Sequence, residues 1–466
     1  MHILPQLRKL ERRYWDTLAV IGVHSAKFPG EKETANVREA VIRYGIEHPV
    51  VNDHAFSVWR AYSVRAWPTL VFIDPQGKVI GKHEGEFEAE ALGNVIDSMV
   101  AEFDAARLLD RRLLEYQLEA AEVSNRPLSF PGKVVADAPN KRLFIADSGH
   151  NSVLVADMTG RVLSAIGSGD PGQRDGAFAD AQFNGPQGMA VDGDALYVAD
   201  AGNHTIRKID LVERTVSTIA GSGEQSLFRH QGGDALSVAL NSPYDLALGP
   251  ALDGGGGPLA SSGRSFKSAL YVAMAGFHQI WEMDLRTGTI TAFAGDGRED
   301  IVDGPRPQAR LAQPYGLTLQ GDRLYFVDSE TSAVRLVTTD PDGTVGTIVG
   351  TGLFDFGDRD GAGRSALLQH VQGIAAGDGV IYVADTYNNK IKEIRPETGE
   401  VITIAGSGKT GRQDGPARDA SFNEPAGLSY ADGRVYIADT NNHLVRVLGL
   451  MTGTVSTLEI SRQDGR

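Results

Sequence analysis

One short pattern occurs six times in this chain, and that repetition constrains the fold more than any other feature. Its clearest copies are residues 196–210, 381–395 and 435–449, where an apolar strand ends at Ala-Asp and is followed by Asn-His or Asn-Asn. Looser copies occupy residues 143–157, 270–284 and 324–338. A period above forty residues, made of short alternating strands, is typical of propellers and solenoids.

Each repeat can be divided into four strands. An inner strand begins at a Pro-x-Gly-like signal, at Pro186, Pro243, Pro314, Val371 and Pro425. A tight turn then leads to the strand that ends at Asp, and two further strands follow. Apolar alternation between Asp- and Gly-containing turns predicts antiparallel strands. Six units of about 55 residues predict an all-β, six-bladed β-propeller over residues 128–466.

Aspartate, asparagine and histidine recur at fixed positions after the second strand of each repeat. They are Asp147, Asp200, Asn203, His204, Asp328, Asp385, Asn388, Asp439, Asn442 and His443. A ring of carboxylates and imidazoles could hold a metal or perform acid–base chemistry. A residue that every blade repeats more often builds the blade, and Asp and Asn side chains commonly cap turns. We therefore predict that these residues are structural and that the chain holds no metal or other cofactor.

The linkers between blades carry a second repeated feature. Asp175, Asp303, Asp360 and Asp414 each lie eleven residues before the start of the next inner strand. In a four-stranded meander these linkers emerge on the same face as the Asn-His turns. Loops on a rigid scaffold often bind partners, so we predict that these four residues contribute to a binding face. A Gly/Ser-rich segment, residues 249–268, is predicted to be a surface insertion on the opposite face.

Charge and composition narrow the possible functions. The net charge of −15 argues against nucleic-acid or membrane partners, which leaves protein or peptide partners. The chain has no cysteine, so it contains neither disulfides nor thiol chemistry of its own. It has no apolar run near the roughly 20 residues of a membrane helix and no signal-peptide pattern, so a cytoplasmic location is expected.

The first hundred residues have a different pattern. Residues 18–23 and 69–74 are continuous apolar runs, typical of strands buried on both faces of a parallel sheet. Residues 30–46 and 87–103 have helical patterns, and residues 79–85 should pair with 69–74 as a hairpin. We predict an α/β domain over residues 1–105, joined to the propeller by a helical linker over residues 106–127.

Two resemblances follow from these motifs. The Asn442-His443-Leu444 signature and its copies resemble NHL repeats, whose propellers mostly bind partners, while some relatives are metal-dependent lyases or bind RNA. Residues 22–28, 48–53 and 66–80 resemble a thioredoxin-like domain, in which Pro68 would follow a cis peptide bond. A thioredoxin-like domain followed by a six-bladed NHL propeller resembles the NHL repeat-containing protein 2 family.

The resemblance also implies a missing part. Thioredoxin-like domains place Cys-x-x-Cys after a central strand, and here both would precede Met1, with residues 1–14 forming the rest of the following helix. We expect that the biological protein starts further upstream and that His2, Trp67 and Pro68 border its redox site. The alternative is a degenerate domain in which the two flanking strands pair directly, because unpaired sheet edges are disfavoured.

Three functions remain open at this stage. The chain as given is predicted to be a binding scaffold, and no residue in it is assigned as catalytic. Thiol–disulfide exchange requires an upstream Cys-x-x-Cys segment. The alternative is a metal-dependent propeller hydrolase or lyase.

Overall fold

The computed structural model describes residues 3–112, 114–118, 126–227, 231–249 and 268–461. The chain divides into two compact units, Met1–Asn125 and Arg126–Arg466. The first has α/β structure and the second is built from strands. The predicted insertion at residues 249–268 lies almost wholly outside the described residues. The predicted boundaries at residues 105/106 and 127/128 stay predictions.

Helices in the first unit pack through small and apolar side chains. The helices are α1 (Leu4–Arg13), α2 (Thr34–Arg43), α3 (Ser57–Ala61) and α4 (Ala89–Ala105). The buried positions of α4 follow a helical spacing, with Leu92 and Ile96 among them. Beside them Gly93 lets α1 approach closely, so that the Tyr14 hydroxyl donates a hydrogen bond to the Gly93 carbonyl at 2.8 Å.

Strands in the first unit form two separate pairs. They are β1 (Gly22–His24), β2 (Val50–Asn52), β3 (Thr69–Ile73) and β4 (Val79–Glu84). β1 pairs with β2 in parallel, and β3 forms the predicted hairpin with β4. Among the described residues no ladder joins β1 to β3, so the alternative in which the flanking strands pair directly is wrong.

The predicted burial of these apolar runs is also wrong. Val23 is 43% exposed and Ile73 is 47% exposed, and the rest of β3 is only half-buried. The physical reason is that each pair is a sheet of only two strands within the described residues. Strands are buried on both faces only when a larger sheet is covered on both sides. Leu18 and Leu70 nevertheless pack against one apolar cluster with α1 and α4.

The predicted helical linker is wrong in its described part. Arg107 has a left-handed φ of 58°, and the Leu108 N–H closes the end of α4 on the Phe103 carbonyl at 2.9 Å. This Schellman arrangement ends the helix. Residues 108–112 and 114–118 then have no helical structure, and nearly all are exposed. They lack the packed apolar face that an isolated helix needs.

The second unit is the predicted six-bladed propeller, with four antiparallel strands in each blade. The inner strands are β5 (Pro131–Asp137), β10 (Pro186–Asp192), β15 (Pro243–Gly249), β20 (Pro314–Gln320), β25 (Gly373–Gly377) and β30 (Pro425–Ala431). The second strands are β6 (Arg142–Asp147), β11 (Ala195–Asp200), β16 (Ala269–Met274), β21 (Arg323–Asp328), β26 (Val380–Asp385) and β31 (Arg434–Asp439).

The outer half of each blade has the same regularity. The third strands are β7 (Ser152–Asp157), β12 (Thr205–Asp210), β17 (Gln279–Asp284), β22 (Ala333–Thr338), β27 (Lys390–Arg395) and β32 (Leu444–Gly449). The fourth strands are β8 (Val162–Ile166), β13 (Thr215–Ala220), β18 (Thr289–Ala294), β23 (Thr344–Val349), β28 (Glu400–Ala405) and β33 (Thr454–Leu458). Apolar clusters fill the spaces between neighbouring blades.

Each linker adds a short fifth strand to the next blade. These are β9 (Gly176–Ala177), β14 (Gly232–Asp234), β19 (Gly304–Pro305), β24 (Gly361–Ala362) and β29 (Gly415–Pro416), each antiparallel to the fourth strand of its blade. In blade 1 the carboxyl-terminal segment takes this place, because Ser461 pairs with Arg161. The chain end therefore closes the ring on its outer side.

The ring also closes at its centre. β30 lies beside β5, as each inner strand lies beside the next. The Thr440 hydroxyl donates to the Pro131 carbonyl at 2.9 Å across this junction, and the Ala136 N–H donates to Ser429 Oγ at 3.0 Å. Blades 6 and 1 are thus joined by the same kinds of contact as the other blades.

Candidate functional site

Five of the six second strands end at a fully buried aspartate. Asp147, Asp200, Asp328, Asp385 and Asp439 are each 0% exposed. In every case Oδ1 accepts a backbone N–H from the segment that leads into the inner strand of the same blade. The donors and their distances are Ser129 (2.6 Å), Asn184 (2.7 Å), Ala312 (2.7 Å), Gln369 (2.7 Å) and Asn423 (2.8 Å). Each carboxylate therefore holds two strands of one blade together.

The other oxygen, Oδ2, binds polar side chains further along the turn and the third strand. In blade 2 it accepts hydrogen bonds from Asn203 at 2.7 Å and from Arg207 at 2.9 Å. The equivalent donors are Arg335 (2.9 Å) in blade 4, Asn388 (2.8 Å) in blade 5, and Asn442 (2.8 Å) and Arg446 (2.8 Å) in blade 6. In blade 5, Lys392 Nζ also forms an ion pair with Asp385 Oδ2 at 3.4 Å. In blade 1, His150 Nδ1 lies 2.8 Å from Asp147. The repeated residues thus form one network inside each of these five blades.

Burial dominates the titration of four of these aspartates. It raises the pKa of Asp200, Asp385 and Asp439 to about 6, although hydrogen bonds and the neighbouring cations oppose the shift. The pKa of Asp328 is raised for the same reason. A raised pKa can mark a catalytic acid, but these groups are enclosed on all sides by their own blade. The geometry gives them a structural use.

The four linker aspartates bind the same cations from the outer side. Asp175, Asp303, Asp360 and Asp414 each accept one hydrogen bond from Arg207, Arg335, Lys392 or Arg446, at 2.7, 3.0, 3.1 and 2.6 Å. Each also accepts the N–H and the hydroxyl of a threonine on the fourth strand. These threonines are Thr218, Thr347, Thr403 and Thr457. Their side chains are therefore engaged within the blade, and their role in partner binding stays a prediction.

Hydrogen bonds to Asp414 outweigh the effect of its burial. Burial opposes ionisation, but Thr457 and Arg446 hold the pKa of the carboxyl below its ordinary value. The pKa of Asp360 is lowered in the same way by Thr403 and Lys392. Both linker carboxylates are therefore charged at neutral pH, and each completes a chain that runs from the linker through the cation to the buried aspartate.

A ring of hydrogen bonds connects each blade to the next. The residue that closes each Asn-His turn has a left-handed backbone, and its side chain accepts a backbone N–H from the segment that leads into the next inner strand. The acceptors and distances are Asn151 (3.0 Å), His204 (3.1 Å), His278 (3.2 Å), Ser332 (3.0 Å), Asn389 (2.9 Å) and His443 (3.0 Å). Where histidine occupies this position, Nδ1 is the acceptor, so that nitrogen carries no proton.

Blade 3 replaces the whole charged network by apolar residues. Met274 stands in place of the buried aspartate, Trp281 in place of the cation and Gly232 in place of the linker aspartate. Trp281 is fully buried and stacks on Phe277 with ring centroids 5.5 Å apart. The three positions change together because an isolated charge at any of them would be buried without its partners.

An ion pair lies where the inner strands converge. Lys133 of blade 1 and Asp245 of blade 3 occupy the same strand position, which is glycine in the other four blades. Lys133 Nζ lies 2.6 Å from Asp245 Oδ2, and both side chains are at least nine-tenths buried. Asp245 also accepts the Leu317 N–H of blade 4 at 2.9 Å. The pair therefore links three blades, which sequence analysis did not foresee.

One half of the channel mouth carries larger polar side chains than the other. The residue two positions after the buried aspartate is glycine in blades 1–3 but Glu330, Tyr387 and Asn441 in blades 4–6. His370 lies between the first two, with Nδ1 3.8 Å from Glu330 Oε1 and its ring stacked 4.4 Å from that of Tyr387. Sequence analysis missed this cluster, although the break in the glycine series was a visible signal.

Of the three residues predicted to border a redox site, Trp67 and Pro68 lie within the described part of the first unit. Trp67–Pro68 is a cis peptide bond, as the resemblance implied. The Trp67 indole N–H donates to the Ser25 carbonyl at 2.8 Å, which joins the end of β1 to the turn before β3. Its ring lies 4.5 Å from that of Trp59, and Trp67 is 49% exposed. His2 lies outside the described residues.

A buried carboxylate fixes this part of the unit. Asp53 accepts a hydrogen bond from the Ser25 hydroxyl at 3.0 Å and from the backbone N–H groups of Val58 and Trp59 at 3.1 and 2.9 Å. Burial opposes its charge, but these hydrogen bonds hold its pKa below the ordinary value. Asp53 therefore positions α3 and the tryptophan pair.

The part of the chain that the structure describes has neither a metal-binding cluster nor a membrane-spanning helix. No group of three or more His, Cys, Asp or Glu side chains is placed there to hold a metal ion. No helix of that part has the length and apolar character needed to cross a bilayer. The alternative of a metal-dependent hydrolase or lyase gains no support from these residues.

The amino-acid sequence is similar to those of several known proteins. The NHL repeat family matches residues 183–209 and 422–448, in blades 2 and 6. The human NHL repeat-containing protein 2 is 39% identical over 100% of this chain. The chloroplastic protein SUPPRESSOR OF QUENCHING 1 of Arabidopsis thaliana is 41% identical over 99% of it.

These relatives are longer than the present chain. It spans 66% of the human protein and 44% of the plant protein. A weaker similarity involves thiol-disulfide oxidoreductase ResA of Halalkalibacterium halodurans, which is 28% identical over 22% of this chain and 50% of its own length. A thioredoxin-like region is therefore suggested over about a fifth of the chain.

Proposed function

Because this chain belongs to the family of NHL repeat-containing protein 2, we propose that it is a binding scaffold whose propeller docks a polypeptide partner. The observation that carries the proposal is Phe354, which is 72% exposed on the linker into blade 5. It follows the fourth strand of blade 4, so it lies on the face that bears the Asn-His turns. Exposed aromatic side chains on a rigid framework are common anchors of protein interfaces.

The framework supports this assignment. The repeated aspartates, asparagines and cations satisfy one another inside the blades, so they hold the loops in place. The net charge of −15 disfavours a nucleic acid as the partner. A protein or peptide surface remains the best match for a rigid ring with an exposed aromatic side chain.

Site-specific photocrosslinking tests the scaffold. Phe354→p-benzoylphenylalanine is expected to give discrete covalent adducts with a polypeptide in cells that make the protein. Met451 provides the control, because it is 98% exposed in the turn between the third and fourth strands of blade 6, on the opposite face. Identical adduct patterns at the two positions, or no adduct at Phe354, would exclude this face as the docking surface.

A second candidate function rests on the two separate strand pairs of the first unit. Within the described residues β1 and β3 each have an unpaired edge, and these edges and the hydrogen bond between Trp67 and Ser25 would accommodate one further strand between the pairs. We propose that a Cys-x-x-Cys segment upstream of Met1 supplies that strand and the attacking thiolate for thiol–disulfide exchange. The similarity to a thiol-disulfide oxidoreductase supports this reading.

Intact mass and peptide mapping of the native protein test the second candidate. A mass well above 49.9 kDa, with a Cys-x-x-Cys peptide preceding His2, is the expected result. A native mass that matches the present chain would remove the thiol chemistry and leave the scaffold as the function.

A further inference from the structure

The first helix carries a concentrated positive charge in an acidic chain. Among its ten residues α1 has four cationic side chains, Arg8, Lys9, Arg12 and Arg13, and one carboxylate, Glu11. The whole chain has a net charge of −15. The positive charge of α1 is therefore local, and its effect depends on which of the four cations are neutralised within the first unit.

Two of these cations have protein partners. The Arg8 guanidinium donates hydrogen bonds to the carbonyls of Tyr44 and Gly45, the latter at 2.9 Å. Arg13 Nη2 lies 2.6 Å from Asp97 Oδ2 of α4. These contacts fasten α1 to the residues that follow α2 and to α4.

Lys9 and Arg12 are the other two cations. Both are exposed, and within the described residues neither side chain forms a hydrogen bond or an ion pair. The one carboxylate of α1, Glu11, is engaged with His48 Nδ1 at 2.9 Å. Residues three apart in a helix lie on the same face. Lys9 and Arg12 therefore place two cations without a direct partner side by side.

These two side chains line one cavity. It is open, has a volume of about 430 Å³ and lies between α1 and the first turn of α4. Its lining residues are Lys9, Leu10, Arg12, Arg13, Ala89 and Glu90. The volume is within the range of ligand sites in proteins, roughly 300–1,000 Å³. The cavity therefore brings the charges of α1 around one space.

The lining combines an apolar floor with a mainly positive rim. Leu10 is 3% exposed and Ala89 is 4% exposed, so these two side chains form the floor. On the rim, three cations stand against one carboxylate, Glu90. The amino-terminal end of α4 adds a partial positive charge at the same place. Such a lining suits an anionic ligand that also has an apolar part.

The exposure of the cations favours a peptide over a small anion. Exposed charges are screened at physiological ionic strength, so a single small anion would be held weakly. A peptide segment with several carboxylates and one apolar side chain gains from several ion pairs and from burial against the floor. Grooves between helices are also common places for peptide binding.

We propose that the cavity between α1 and α4 binds an acidic peptide segment, in which Asp or Glu side chains flank an apolar residue. The apolar residue contacts Leu10 and Ala89, and the carboxylates pair with Lys9 and Arg12. Glu90 is placed to accept a backbone N–H of the same segment. This inference goes beyond the proposed scaffold function, because the site lies in the first unit and does not use the propeller.

Two peptides of nearly the same shape test the site on the full chain. Acetyl-Asp-Glu-Leu-Asp-Glu-amide is acidic, and its analogue with Asn and Gln in place of Asp and Glu is neutral. We expect the acidic peptide to bind at least about fivefold more tightly in NMR titrations, and less tightly as salt is raised. The methyl signals of Leu10 and Ala89 should shift with the acidic peptide, whereas that of Leu428, which is buried in the propeller, should not.

Paired substitutions locate the charge. Lys9→Gln with Arg12→Gln should weaken binding of the acidic peptide by at least about fivefold, because both partners of its carboxylates are lost. The matched control is Lys409→Gln with Arg412→Gln, which removes the same residue types at the same spacing from an exposed linker of the propeller. Lys9→Glu with Arg12→Glu should abolish the preference for the acidic peptide. Far-UV circular dichroism verifies the fold of each variant.

Equal binding of the two peptides, no binding of either, or the same loss in the control pair as in the α1 pair overturns the inference. Inorganic phosphate that shifts the Leu10 methyl signal and displaces the peptide at equal concentration would show a small-anion site, and would overturn it as well. Preference for the acidic peptide that is lost only in the α1 variants supports it. None of these measurements uses Phe354, so their outcome is independent of the test of the scaffold.

Discussion

Lys133 and Asp245 form a buried ion pair across the centre of the propeller, with Nζ and Oδ2 2.6 Å apart. The two residues belong to blades 1 and 3 and are separated by 112 positions in sequence. Four glycines occupy the equivalent positions of the other blades. The close approach of the inner strands thus leaves room for one long side chain and one short one.

Removal of either partner should be strongly destabilising. Asp245→Ala or Lys133→Met leaves a buried charge without its counter-ion, which typically costs about 3–5 kcal/mol of unfolding free energy. The double variant Lys133→Met with Asp245→Leu should recover most of that loss. Urea denaturation measures all three, and the exposed pair Arg395–Glu400 provides the control, where Arg395→Met should cost at most about 1 kcal/mol. Additive losses in the double variant would contradict the pairing.

The turn histidine of blade 6 should be replaceable by asparagine but not by alanine. His443→Asn keeps an acceptor for the Phe130 N–H and tolerates the left-handed backbone, as Asn151 and Asn389 do in blades 1 and 5. His443→Ala loses the acceptor and leaves a buried N–H, at a cost of about 1–3 kcal/mol. Equilibrium unfolding distinguishes the two. A similar loss in both variants would show that the imidazole ring, and not its acceptor, matters.

Asp414 should contribute to stability through the fourth strand of blade 6. Asp414→Ala removes hydrogen bonds to Arg446 and to Thr457, and we expect it to lower the unfolding free energy by about 1–3 kcal/mol. Hydrogen exchange of the Thr457 amide should accelerate in the same variant. Thr457→Val is the matched control, since it removes only the hydroxyl and should cost less. Unchanged exchange at Thr457 would be incompatible with this role.

Asp200, Asp385 and Asp439 should make the fold less stable as pH rises from about 4 to about 6. Their folded pKa of about 6 lies above the ordinary value of 3.8, so in this range the folded chain binds more protons than the unfolded chain. Their contribution to the free energy of unfolding is fully present below the pKa of the unfolded chain. It is lost as the pH rises through the pKa of the folded chain.

Asp439→Asn isolates one such group. The difference between wild-type and variant unfolding free energies should change with pH between 4 and 6 and become constant above that range. Denaturant titrations at several pH values measure it, with the exposed Asp378→Asn as a control for general charge effects. A difference that does not vary with pH would show that Asp439 keeps its charge throughout.

Sequence patterns predicted the propeller because its information is local and repeated. The strand that ends at Asp200, the turn through Asn203 and the four strands of each blade follow from alternation and turn residues alone. The hairpin of β3 and β4 and the helix α4 were predicted for the same reason. The linker beyond Ala105 was not, because a helical pattern forms a helix only when another surface covers its apolar side.

The amino-acid sequence by itself determined the number of blades, the strand order within each blade and the positions of the turn residues, since each depends on neighbours a few residues apart. Only the tertiary structure decided which distant residues meet. It joined Lys133 to Asp245, Asp414 to Arg446 and Glu330 to His370, and it left β1 apart from β3. Those relationships depend on how six blades close around one axis and how strands order in a sheet. A periodic pattern predicts the face of a strand or helix on which a side chain lies. It does not predict which residues far apart in sequence come into contact.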